Sequence, residues 1–187
     1  VLARPVAIKE YLPAALARRG SGGEVEPSRP ESADAFDRGR RAFIEEARTL
    51  GRCDHPSLVR VLDLIEARGT AYRVMPWYSG RVLFDVCRRM SGPLSEPALR
   101  LLLDNLIDAI DAYEHVGGVH RSVGPSQVML LDDGRSLLLG PRAANRATQA
   151  DSGLAAAASA ETGFAPPEQT TPAPGQPQGP WTDFYAL

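Results

Sequence analysis

Three short stretches hold the residues whose types could do chemistry. Lys9 closes the apolar run Val6-Ala7-Ile8, and an ammonium in such a run is costly to desolvate unless it has a partner. His120-Arg121-Ser122-Val123-Gly124-Pro125-Ser126-Gln127 sets a histidine, a hydroxyl and an amide within eight positions. A serine hydroxyl has no useful basicity near neutral pH, so Ser122 cannot serve as a general base. Gln127 offers an uncharged amide oxygen, a poor ligand for a hard cation that prefers carboxylates and water. In Gly140-Pro141-Arg142, Pro141 fixes φ and the Arg142 guanidinium suits phosphate or carboxylate. Cys53 and Cys87 lie far apart with no Cys or His at metal-ligand spacing, which argues against a disulfide framework or a zinc site and for a reducing cytoplasm.

The elements that must position these residues follow from patterning. Val6 to Lys9 predicts a short buried strand stopped at Pro13, and a loop rich in Gly, Ser, Pro and Glu reaches to about Asp34. Phe36, Phe43, Ala47 and Leu50 recur at helical spacing, so residues 35 to 52 predict an amphipathic helix with Asp34 as its cap and Glu45 and Glu46 near its middle. The β-rich runs 59 to 66 and 70 to 75 flank Ala67-Arg68-Gly69, a hairpin signal. Leu83, Val86, Cys87 and Met90 mark a second helix; Ser95, Pro97 and the apolar face Leu99, Leu102, Leu103, Leu106, Ile110 and Tyr113 mark a long third one ended by Gly117-Gly118. Runs 128 to 131 and 137 to 139 flank Asp132-Asp133-Gly134, a second hairpin whose acidic residues are turn formers. Beyond Gly140 the patterning fades into small residues and proline. The chain has 187 residues, 43% of them hydrophobic, and a formal charge of -2. That composition predicts one domain and argues against nucleic acid or an anionic membrane as the main partner. No apolar run is long enough to cross a membrane.

In this order the chain resembles the bacterial, eukaryote-like (Hanks-type) serine/threonine protein kinases. The matches are Val6-Ala7-Ile8-Lys9, Glu46, His55-Pro56, Val74-Met75, His120-Arg121, Ala165-Pro166-Pro167-Glu168 and Trp181-Thr182-Asp183. The resemblance implies an α+β, bilobal kinase-like fold, partial at both ends. Residues 1 to 76 form the N-lobe, 77 to 80 a hinge, and 81 to 187 part of the C-lobe, with an activation-type segment at about 140 to 168. It further implies that Lys9 pairs with Glu46, and that Ala7, Met75, Pro76, Tyr78 and Met129 enclose a nucleotide base, with Met75 as gatekeeper. His120, Arg121 and Asp183 match residues that hold the catalytic-type loop in shape. Glu168 lacks the arginine that pairs with it from later helices, which suggests part of a longer protein or a degraded gene.

The chain departs from that family where the chemistry is done. Ser122 stands at the catalytic aspartate, Gly124 at a phosphate-steadying lysine, Gln127 at the metal-binding asparagine and Gly140 at the metal-binding aspartate. Phosphoryl transfer in the family rests on these groups. The glycine-rich hairpin over the phosphates has no counterpart, since Gly20-Ser21-Gly22-Gly23 is in the wrong place. The expectation is therefore an inactive pseudokinase with regulatory or scaffolding protein partners, binding ATP weakly and without Mg²⁺, with Arg142 partly replacing the metal's charge or capturing Glu46 from Lys9. Ser159 and Thr162 are candidate phosphoacceptors for Arg121. The alternatives are an active serine/threonine kinase, a small-molecule phosphotransferase, and a protein-interaction module that binds no nucleotide. A cytoplasmic domain is expected, free or anchored through a longer protein.

Overall fold

A computed structural model describes residues 3–141, 163–170 and 177–187. Its first sheet has the order β1-β5-β4, built from β1 (Val6–Glu10), β4 (Asp63–Ala67) and β5 (Thr70–Pro76), all antiparallel. The β4–β5 turn places Arg68 and Gly69 at φ 52° and 74°, the left-handed pair that a two-residue hairpin requires. Helix α1 (Ala33–Gly51) packs on this sheet and buries Phe36, Phe43, Ile44, Glu46, Ala47 and Leu50. Its cap position is Ser32, and Asp34 falls inside the first turn, where its charge still suits the positive end of the helix.

Two expectations fail in this half. Strand β1 is an exposed sheet edge, with Ile8 63% accessible and Lys9 also exposed; period-two alternation turns Val6 and Ile8 away from the face that carries Ala7 and Lys9. The predicted loop to Asp34 contains a second hairpin, β2 (Ala17–Arg19) with β3 (Val25–Pro27). Its turn is the Gly20 to Gly23 run, with Gly23 at φ 82°, and tertiary contact fixes it: the Val25 amide donates to the Arg68 carbonyl at 2.8 Å.

The second half is built on helix α2 (Leu83–Arg89), helix α3 (Glu96–His115) and a sheet of order β6-β7-β8, from β6 (Gly80–Val82), β7 (Val128–Leu131) and β8 (Ser136–Leu138). Strand β6 starts at the last residue of the expected hinge and runs on to Val82, where no strand is expected. It forms because residues some fifty positions later supply its partner, as Gly80 pairs with Leu131. The predicted strand start at Val59 is instead a crossing segment, whose amide donates to the Leu138 carbonyl at 2.9 Å. Helix α3 buries Leu102, Leu106, Ala109, Ile110 and Tyr113; Leu101 and Ile107 are exposed on its other side, and Leu99, expected on the buried face, is exposed in the first turn. Short helices α4 (Pro167–Thr170) and α5 (Pro180–Tyr185) complete the described chain.

The apolar interior falls into two clusters. One joins Tyr11, Ala17, Val25, Phe36, Phe43, Ile44 and Ala71 around the first sheet. The larger surrounds α3 and includes Leu50, Leu58, Val59, Leu83, Val128 and Leu138. Between them runs a cleft. No helix among the described residues is long and apolar enough to cross a membrane.

Candidate functional site

The cleft has a volume of about 710 Å³. Its upper wall is the inward phase of β1 and β5, which places Ala7, Lys9, Arg73 and Met75 on one face; Pro76, Trp77 and Tyr78 form its connecting edge. The lower wall carries Gln127, Met129, Leu139 and Gly140. Eight of the residues expected in a binding or degenerate catalytic role from both halves thus meet around one space: Ala7, Lys9, Met75, Pro76, Tyr78, Gln127, Met129 and Gly140. Glu46 stands just behind, its Oε1 3.5 Å from where a Cβ on Gly140 would be. Arg142, Ser159 and Thr162 lie outside the described residues.

Sequence reasoning missed Arg73, Trp77, Val59 and Leu139. Arg73 is the consequential one. It is fully buried, stands opposite Lys9 in the β1–β5 register, and donates from Nη2 to Glu46 Oε1 at 2.6 Å. Its guanidinium also lies 4.8 Å from the Phe43 ring centroid, a cation–π contact that helps a buried charge. The signal was present in Ala71-Tyr72-Arg73-Val74-Met75: an arginine in the inward phase of an otherwise apolar strand must have a buried partner. Trp77 is 62% exposed at the mouth of the cleft.

The loop from His120 to Gln127 meets the floor of the cleft through Gln127. Its backbone is held by Asp183 of α5, whose carboxylate is almost completely buried. Asp183 Oδ2 accepts from the His120 amide at 2.6 Å and Oδ1 from the Arg121 amide at 2.5 Å. They fix Arg121 at φ 59°, a conformation that costs about 1–2 kcal/mol in a non-glycine residue. His120 Nε2 lies 2.6 Å from the Leu139 carbonyl, which requires the proton on that nitrogen. Gln169 donates to the Arg121 carbonyl at 2.9 Å, and Thr182 Oγ1 donates to Glu168 Oε1 at 2.8 Å.

Ser122 Oγ is 3.5 Å from His120 Nδ1. The Gln127 side chain is nearly buried and donates to its neighbour's Ser126 carbonyl at 3.1 Å. Gly124 is extended, at φ 166°. Asp133 bonds Arg135 at the far tip of the β7–β8 turn, and neither it nor Asp132 lines the cleft. The described lining residues therefore offer an amide, an ammonium and a guanidinium but no carboxylate, a donor set that does not suit Mg²⁺. No group of three His, Cys, Asp or Glu among the described residues is placed to hold a metal.

Known proteins resemble this arrangement. The chain is 29% identical over 158 residues, 78% of its length, to serine/threonine-protein kinase B of Synechocystis, and 32% identical over 118 residues to serine/threonine-protein kinase pkn2 of Myxococcus xanthus. Sperm motility kinase 2A of Mus musculus is 33% identical over 95 residues. The chain spans 27%, 14% and 19% of these relatives. The solved structure of PpkA-294 in its apo form superposes with a TM-score of 0.85 at 34% identity, over 99% of this chain and 64% of that one. A mutant kinase domain of Mycobacterium tuberculosis PknI gives a TM-score of 0.60 over 82% of this chain and 57% of that one; at 24% identity it speaks for the fold alone. No family model matches the chain.

Proposed function

We propose that this chain, a serine/threonine protein-kinase-like domain similar to bacterial kinase domains, binds a nucleotide in its cleft without transferring phosphate and acts as a regulatory module on a protein partner. One observation carries this reading: the cleft keeps its apolar pocket and the Lys9 ammonium while its described lining residues include no carboxylate. Phosphoryl transfer needs a base for the hydroxyl and carboxylates for the metal; Ser122, Gln127 and Gly140 supply neither. The buried Asp183 keeps the loop in its shape regardless, which supports a role based on conformation. Effects of residues that act as a unit are not additive, so repair of Ser122 alone would restore little.

Thermal unfolding with ATP tests the proposal, with and without Mg²⁺, on the wild type and on Lys9→Met. Stabilisation that does not need Mg²⁺ and disappears in Lys9→Met supports it, because a ligand that binds only the folded state raises its stability. Labelled phosphate incorporated by the wild type and lost in Lys9→Met would instead establish an active kinase. A second reading is a pure protein-interaction module. The exposed Leu99, Leu101 and Ile107 of α3 favour it, and absence of any nucleotide shift would select it.

A further inference from the structure

Arg73 is fixed on several sides. Glu46 clamps one terminal nitrogen at 2.6 Å, the Phe43 ring lies beside the guanidinium, and Nε is buried without a hydrogen-bond partner. Gly140 closes against the other terminal nitrogen: a Cβ there would stand 2.6 Å from Arg73 Nη1 and 3.1 Å from Leu50 Cδ1. Gly140 is not among the residues with positive φ, so its backbone is open to any residue and space alone demands glycine. A side chain at 140 would press on a buried guanidinium already clamped by Glu46, and forced overpacking of this kind is costly.

We infer that Arg73 and Gly140 act as one unit: the guanidinium fills the volume of the missing side chain and binds Glu46, the carboxylate nearest to it, so that an anionic ligand is held here without a divalent metal. Arg73 is thus the residue that sets the metal independence of the cleft. It acts as a positioning residue through Glu46 and the rear wall. The metal part of this inference rests on the nucleotide reading above; the coupling of positions 73 and 140 does not.

The test is a cycle on the full chain. Gly140→Ala is made in the wild type and in an Arg73→Met/Glu46→Leu background, which swaps the buried pair for apolar groups, a change that is often neutral or stabilising. Melting should fall by about 3–8 °C in the wild type and by less than about 1 °C in the swapped background; equal falls in both would overturn the inference. Metal dependence gives a readout that a merely structural role would not move. ADP should bind the wild type within about twofold the same with Mg²⁺ or with EDTA, whereas Arg73→Met, which leaves the Glu46 carboxylate to a cation, should bind at least about tenfold tighter with Mg²⁺. An unchanged ratio in a folded Arg73→Met overturns the assignment of metal independence to Arg73. If no variant binds ADP, the nucleotide reading fails and the melting cycle alone decides the coupling.

Discussion

Asp183→Ala removes both acceptors that hold the loop at the floor of the cleft. The His120 and Arg121 amides lose bonds of 2.6 and 2.5 Å to a carboxylate that is only 2% exposed. Bonds to a charged group contribute about 1.5–3 kcal/mol each, and removal of the carboxylate also relieves its own desolvation, so the net loss should be about 3–4 kcal/mol. That is a large share of a typical stability of about 5–15 kcal/mol, and at this chain length it lowers the melting temperature by roughly 6–16 °C. Urea unfolding gives the global figure. Hydrogen exchange gives the local one: the His120 and Arg121 amides should lose their protection ahead of β5, because the strained φ at Arg121 is then held only from its carbonyl side, by Gln169. Asp183→Asn, with one neutral acceptor oxygen, should fall between the wild type and the alanine variant. A loss below about 1 kcal/mol, or unchanged protection of both amides, would refute the view that Asp183 shapes the loop.

Two further outcomes follow from the first sheet. Gly69→Ala forces a side chain into φ 74° and sets its Cβ 2.3 Å from the Val25 carbonyl oxygen, so it should cost about 2–4 kcal/mol by urea unfolding; a cost under about 1 kcal/mol would contradict the placement of β3 against this turn. Burial of the Tyr11 hydroxyl, helped by nearby Asp37, pushes its pKa up to about 12 from an ordinary 10.0. The folded state therefore holds that proton more tightly than the unfolded one, and the resulting stability is complete below pH 10 and lost as pH rises through about 12. On the order of 2 kcal/mol of stability should disappear in that window and be absent from the pH dependence of Tyr11→Phe; equal alkaline slopes in the two proteins would refute it.

Much of the fold is legible from local signals. The β4–β5 turn is written in Arg68-Gly69, and α3 in Ser95, Pro97, its apolar spacing and Gly117, whose φ is 81°. The pairing of Asp183 with the loop is legible through the resemblance, because it joins residues that match a known order. What escapes has its cause elsewhere in the chain. Strands β2, β3 and β6 are three residues each, too short for periodicity to register; β3 is anchored by distant Arg68 and β6 by distant Leu131. The exposure of β1 depends on its place at the sheet edge. Arg73 escapes because the resemblance had already given the inward carboxylate, Glu46, to Lys9; only packing shows the Arg73 guanidinium seated on it. Glu45 in fact pairs with Arg48 at the surface.

The two apolar clusters share one rod. Helix α1 lodges Phe36, Phe43 and Ile44 in the first and Leu50 in the second, so it spans the cleft as a lever whose far turn is seated in the opposite half. A motion that widens the cleft must either carry α1 with the upper sheet, pulling Leu50 from its seat, or leave Leu50 in place and bend the helix near Ala47. Glu46 sits one turn before Leu50, beside that bend. The first movement leaves the Glu46–Arg73 clamp intact, because both partners travel with the upper sheet, and only the second strains it; the clamp therefore ties α1 to the upper sheet and directs the strain of opening onto the seat of Leu50.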